Sequence, residues 1–243
     1  MINFTYVLTA VLCIVELSLI YPFVKSMIPQ KTAKSLLLKM ICSTSFLLIG
    51  FLTTYSLNVY SLVSKYPYII LTGLCLSWAG DLLLGLNGSK VWFITGGVFF
   101  LLTHFCYITA FSYVSLAFFE RDGALGLFEI CFCLILVLLF EIYNRKKGIK
   151  LGKLHIPVLI YALVLTTMLS KSIVLAKDLL SGGEYCPAAL IFSGALLFFI
   201  SDFTLTYTIL EEKRKTDIKY KFINSLSYFA GQTLIALSII FIK

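Results

Sequence analysis

The chain has 243 residues, 60% of them hydrophobic and only 13% charged, and its mean hydropathy of +0.97 excludes a water-soluble domain of ordinary surface chemistry. The formal net charge of +8 is assigned to membrane orientation and attraction to anionic lipid, with no call for nucleic acid. The expected class is an all-α, polytopic integral membrane protein, a single transmembrane domain over residues 1–243.

About 20 apolar residues cross roughly 30 Å of hydrocarbon, and eight such spans are predicted: 3–24, 36–57, 66–86, 91–117, 125–143, 155–176, 186–210 and 221–242. The first, MINFTYVLTAVLCIVELSLIYP, lacks a basic leader region and a small-residue cleavage site and carries Glu16, so it reads as a retained helix. The second opens among Lys31, Lys34 and Lys39. The third contains LSWAGDLLLGL, with Asp81 one helical turn after Ser77 on the same face. The fourth carries His104. On the fifth, Glu129 falls near one interface, and Glu141 precedes Arg145 by four residues at the other, a snorkelling surface pair. His155 opens the sixth span at the interface, Ser201 and Asp202 lie in the seventh, and Tyr228 and Gln232 share one face of the eighth.

The loops after spans 1, 3, 5 and 7 hold fifteen of the 20 lysines and arginines, which makes those ends cytoplasmic and puts both termini on the other side. The expected location is the cell (inner) membrane if the source is bacterial. Glu16, Asp81 and Asp202 each lie nine residues from the next cytoplasmic charge, Lys25, Lys90 and Glu211, and so roughly 13 Å inside the membrane. With His104, Tyr228 and Gln232 they fit a polar chamber opening toward the cytoplasmic leaflet, because each polar group in hydrocarbon needs a partner. The bland alternative is helix glue worth around 1 kcal/mol, which suits Glu16 and Gln232 as well as a role in chemistry does. It suits the aspartates less, since Ser, Thr or Asn would glue helices without a charge.

GLCLSWAGDLLLGL from Gly73 and GALLFFISDFTLTY from Gly194 both place Asp eight residues after Gly. Spans 3 and 7 are the third helices of two four-span halves. A duplicated four-helix unit in parallel orientation would bring Asp81 and Asp202 face to face.

Two carboxyls facing each other in an apolar cavity titrate as a pair, one protonated while the other is ionised near neutral pH. Such a pair can cleave acetal-like C–O bonds through an oxocarbenium-like state. Zinc chemistry wants more ligands than His104 and the aspartates offer, so no metal and no cofactor is expected. The seven cysteines lie almost all within spans and read as packing residues. Neither a G-x-S-x-G elbow nor a nucleotide fingerprint occurs.

Taken together, SWAGDLLL, FFLLTHFCYITAF, SGALLFFISDFTLTY and SYFAGQTLIALS resemble, in order and spacing, the YhhN-type lysoplasmalogenase family of eight-span membrane proteins. The resemblance implies hydrolysis of the vinyl ether bond of lysoplasmalogens to a fatty aldehyde and a glycerophospho-base. It implies catalytic roles for Asp81 and Asp202, and supporting roles for His104, Ser201, Tyr228 and Gln232, to which Glu16 is added from its depth. The family's Lys-Pro stands here as Lys39 followed by Met40, and Lys39 is expected to meet the phosphate of a lysophospholipid. The alternative is a proton-coupled small-molecule or lipid transporter. Against it, Pro22, Pro29, Pro67, Pro157 and Pro187 all lie at or near span ends, so the paired interruptions of transport helices are missing. A non-catalytic lipid-binding protein is the third reading, and it predicts that both aspartates tolerate replacement.

Overall fold

A backbone in hydrocarbon finds no water, so each apolar run must satisfy its own N–H and C=O groups, and a helix does so within one segment. The computed structural model describes residues 2–28, 32–57, 63–86, 89–149, 151–210 and 216–242. These form eight α-helices: α1 (Ile2–Ser26), α2 (Ala33–Leu57), α3 (Tyr66–Gly85), α4 (Lys90–Phe119), α5 (Leu127–Lys146), α6 (His155–Ser181), α7 (Tyr185–Leu210) and α8 (Ile218–Ser238). A 3-10 turn, Gly152–Leu154, precedes α6. Among the described residues there is no strand. Lys31, Lys150 and the basic stretch 213–215, which weigh in the predicted orientation, lie outside them.

Among the described residues seven helices, α1 to α7, are long and apolar enough to cross a membrane, and the chain is a multi-pass integral membrane protein. α8 is the exception, for a reason the packing supplies. It lies against α1, α2, α3 and α7, so its polar residues Ser225, Tyr228, Gln232, Thr233 and Ser238 are buried against protein rather than lipid. α5 is the opposite case, packed chiefly on α6 and presenting Leu134, Ile135, Leu138 and Leu139 outward.

Within each half, successive helices pack side by side: α1 on α2, α2 on α3 and α3 on α4, then α5 on α6, α6 on α7 and α7 on α8. Across the halves α4 packs on α6 and α8 on α2, two contacts that interchange when the halves are swapped, and α8 also lies against α1 and α3. In each half the third and fourth helices cross at glycines. A Cβ on Gly80 would lie 3.3 Å from the Gly96 carbonyl oxygen in the α3–α4 pair. In the α7–α8 pair, a Cβ on Gly231 would lie 2.9 Å from both the Gly194 carbonyl oxygen and the Phe198 amide nitrogen.

Backbone cannot yield as a flexible side chain can. Gly231→Leu is therefore expected to destabilise the protein by about 3 kcal/mol through overpacking, whereas Gly97→Ala, with open space at its Cβ, should be close to neutral. Thermal unfolding of the two variants in detergent measures the difference.

Two charges that the spans leave unexplained are tied off near the α4–α5 connection and the C-terminal half of α6. Lys171, buried within α6, pairs with Glu129 at 3.1 Å and donates to the carbonyl oxygens of Gly123 and Ala124. Glu129 also accepts the Gly126 N–H at 2.6 Å, closing the first turn of α5. Arg121 pairs with Asp178 at 2.6 Å. α3 stops at Gly85, so Asp81 is four residues from its end. That is one turn, about 6 Å, and shallower than the count to Lys90 suggests.

Candidate active site

Asp81 is 1% exposed and surrounded by donors from two helices, α2 and α8. Its Oδ1 is 2.8 Å from the Lys39 ammonium on α2. Its Oδ2 accepts from Ser43 Oγ, one turn along α2 from Lys39, and from Tyr228 OH on α8, each at 2.6 Å. Lys39 Nζ also donates to the Asp81 carbonyl oxygen at 3.3 Å. A buried charge is tolerable only with such partners, since desolvation alone costs several kcal/mol per ion. The Lys39 side chain keeps 17% exposure and forms the outer rim of this cluster.

Asp202 is held differently. Its Oδ2 accepts from Tyr161 OH on α6 at 2.5 Å and lies 3.0 Å from His104 Nε2 on α4. Tyr161 OH and His104 Nε2 are themselves 3.1 Å apart, so the three groups form a triangle around one oxygen. The other side of the imidazole, Nδ1, rests 3.3 Å from the Met168 sulfur. Asp202 Oδ1 takes no hydrogen bond from a described residue.

Gln232, one turn beyond Tyr228 on α8, ties α3, α4 and α8 together. Its Nε2 donates to Ser77 Oγ at 2.7 Å, and its Oε1 accepts from Tyr107 OH at 2.5 Å. Ser77 in turn donates to Thr103 Oγ1 at 3.1 Å, next to His104. A glutamine whose donor and acceptor are both matched inside the bundle locks helix register.

The sequence reading has the two aspartates facing each other, whereas the structure stands α8 between α3 and α7 and leaves the carboxyls with no partner in common. What joins the two clusters is aromatic. The Phe198 ring is 4.7 Å from His104 and 5.6 Å from Tyr228, and Phe100 packs edge-on against both Phe198 and Tyr228.

Two expected supporting residues lie beside these clusters rather than in them. Glu16 is buried between α1 and α8, where its Oε2 accepts from Thr233 Oγ1 at 2.8 Å and its Oε1 has no hydrogen-bond partner among the described residues. Ser201 accepts from Asn224 Nδ2 at its hydroxyl and its carbonyl, pinning α7 to α8 one residue before Asp202. Ser43, Tyr107 and Tyr161 are participants that residue type alone did not single out. Ser43 was detectable as the residue one turn after Lys39, on the same face. Tyr161 offered no such signal.

Among the described residues no three His, Cys, Asp or Glu side chains are grouped so as to hold a metal ion. Neither the characterised proteins nor the solved structures contain a match to this chain. A family model, the YhhN family, matches residues 35–239, a stretch that runs from the start of α2 through α8 and holds every residue of the Asp81, Gln232 and Asp202 clusters, though not Glu16. The chain belongs to the YhhN family.

Proposed function

We propose that this membrane protein hydrolyses the vinyl ether bond of lysoplasmalogens, releasing a fatty aldehyde and a glycerophospho-base. The observation that carries the reading is the unequal furnishing of the two buried aspartates. Asp81 is ringed by an ammonium and two hydroxyls, whereas Asp202 keeps one oxygen open. Asp202 is accordingly the acid. A proton on Oδ1 would pass to the vinyl β-carbon, leaving an oxocarbenium ion and an Asp202 carboxylate. Water would add to the cation and return a proton to Asp202. The hemiacetal would then collapse to aldehyde, its hydroxyl proton passing to the departing glycerol oxygen.

Asp81 would balance the transient positive charge from a fixed position, as a preorganised group in a low-dielectric site does. His104 and Tyr161 would aim Asp202, and Tyr228 and Gln232 would hold α8 between the two acids. The substrate would enter from the cytoplasmic leaflet, with the basic ends of the helices on that side.

Aldehyde release by the purified protein in detergent, measured side by side on a lysoplasmalogen and an ester lysophospholipid, tests the reading. Aldehyde from the first alone is the expected result. A folded protein that yields none from either is a carrier or a lipid-binding protein, and the hydrolase reading then fails.

A further inference from the structure

Where the end of α5 meets the start of α6, a cavity of about 160 Å³ is lined by Glu141, Asn144, Arg145, Ile149, Leu151 and His155. Asn144 is 2% exposed, yet neither its Oδ1 nor its Nδ2 has a hydrogen-bond partner. Buried polar groups are almost always paired, so an amide bare at both ends among the described residues calls for a further partner. Beside it, Glu141 accepts from Arg145 Nε at 2.9 Å and lies 3.1 Å from His155 Nε2. The carboxylate thus orients two side chains whose remaining nitrogens, Arg145 Nη1 and Nη2 and His155 Nδ1, make no hydrogen bond with a described residue. The Arg145 donors beside a bare amide form a site for an oxyanion.

We propose that this cavity binds a phosphate ester and that, in the hydrolysis proposed above, on which this second step rests, it seats the headgroup phosphate. The spacing supports the assignment. Tyr161, whose hydroxyl holds Asp202, follows His155 by six residues on α6, about 9 Å along the helix. In a lysoplasmalogen seven bonds separate phosphorus from the vinyl β-carbon, and at about 1.2 Å advance per bond of extended chain they span about 8 Å. A phosphate beside Arg145 therefore sets the carbon to be protonated at the level of Asp202. The Asn144 amide would donate to a phosphate oxygen and accept from the glycerol hydroxyl, which matches both of its bare ends. Lys39, the residue expected from sequence to meet the phosphate, is already bonded to Asp81.

The test uses full-length protein in detergent, with Asn144→Leu, which removes the amide, and Arg145→Gln, whose exposed side chain puts folding at little risk. Glycerophosphoethanolamine should raise the Tm of the native protein and of neither variant, and both variants should raise the KM for lysoplasmalogen about tenfold, the size of one lost hydrogen bond. Asn144→Leu without ligand should melt no lower than the native protein, because it deletes an unmatched group. If inorganic phosphate shifts the Tm as strongly as the ester, the cavity belongs to the free anion and the headgroup assignment is overturned. Unchanged KM in both variants, with no Tm shift by either ligand, overturns the site while hydrolysis stands. A Tm shift by the ester in a protein that releases no aldehyde keeps the site and overturns the reaction.

Discussion

Asp202→Asn is expected to lower aldehyde release by about a thousandfold, within the range that general acid catalysis contributes, while the protein folds and melts close to the native one. Stability should survive because of the contacts at this carboxyl. Tyr161 OH and His104 Nε2 both approach Oδ2, and Oδ1 takes no bond from a described residue. The asparagine carbonyl can take the place of Oδ2 and its NH2 group that of a protonated Oδ1, so the side chain imitates the neutral acid in every respect except the transferable proton. His104→Gln should do less harm, since it disturbs the aim of the acid and leaves the proton. Single-turnover aldehyde formation, read together with thermal unfolding, separates the two effects. Turnover within a few-fold of native in Asp202→Asn would remove this residue from the chemistry and return the role of acid to Asp81.

The second large effect is on stability, at Lys39. Lys39→Met strips the ammonium from a carboxylate that is 1% exposed, and removing one partner of a buried ion pair costs about 3–5 kcal/mol because the other charge stays behind. Asp81→Asn should cost less. The asparagine can still accept from Ser43 and Tyr228, and Lys39, 17% exposed at the rim, can turn its ammonium toward water. The double variant Lys39→Met with Asp81→Asn should therefore be more stable than Lys39→Met alone, and still inactive. Chemical or thermal unfolding of all three variants closes the cycle. A Lys39→Met protein as stable as the native one would mean that the pair carries no buried charge.

This cycle also shows where sequence reading stops. That Asp81 matters was legible from a charge at depth in an apolar run, and Lys39 came forward through the family resemblance. That they bond to each other, 42 residues apart, was not legible. Sequence alone offered Lys39 to the lipid phosphate, because it reports a residue's position along its own helix and says nothing of what the neighbouring helix presents.

The same limit separates the other findings. Composition was enough to indicate a helical, multi-pass protein, and a motif search along the chain found Asp81, His104, Asp202, Tyr228 and Gln232. These are properties of a chain in a given solvent, since hydrocarbon makes helices obligatory and charges conspicuous. Tertiary structure alone decided that α8 stands between the two aspartates, that Tyr161 and Ser43 complete their shells, that Glu16 turns to Thr233, and that Asn144 lines a cavity with its amide unmatched among the described residues. A transmembrane helix is equally stable with any face turned to its neighbours as far as its own hydrogen bonds go. Which face meets which partner is settled by glycine crossings such as Gly194 on Gly231 and by hydrogen bonds between residues far apart in the chain.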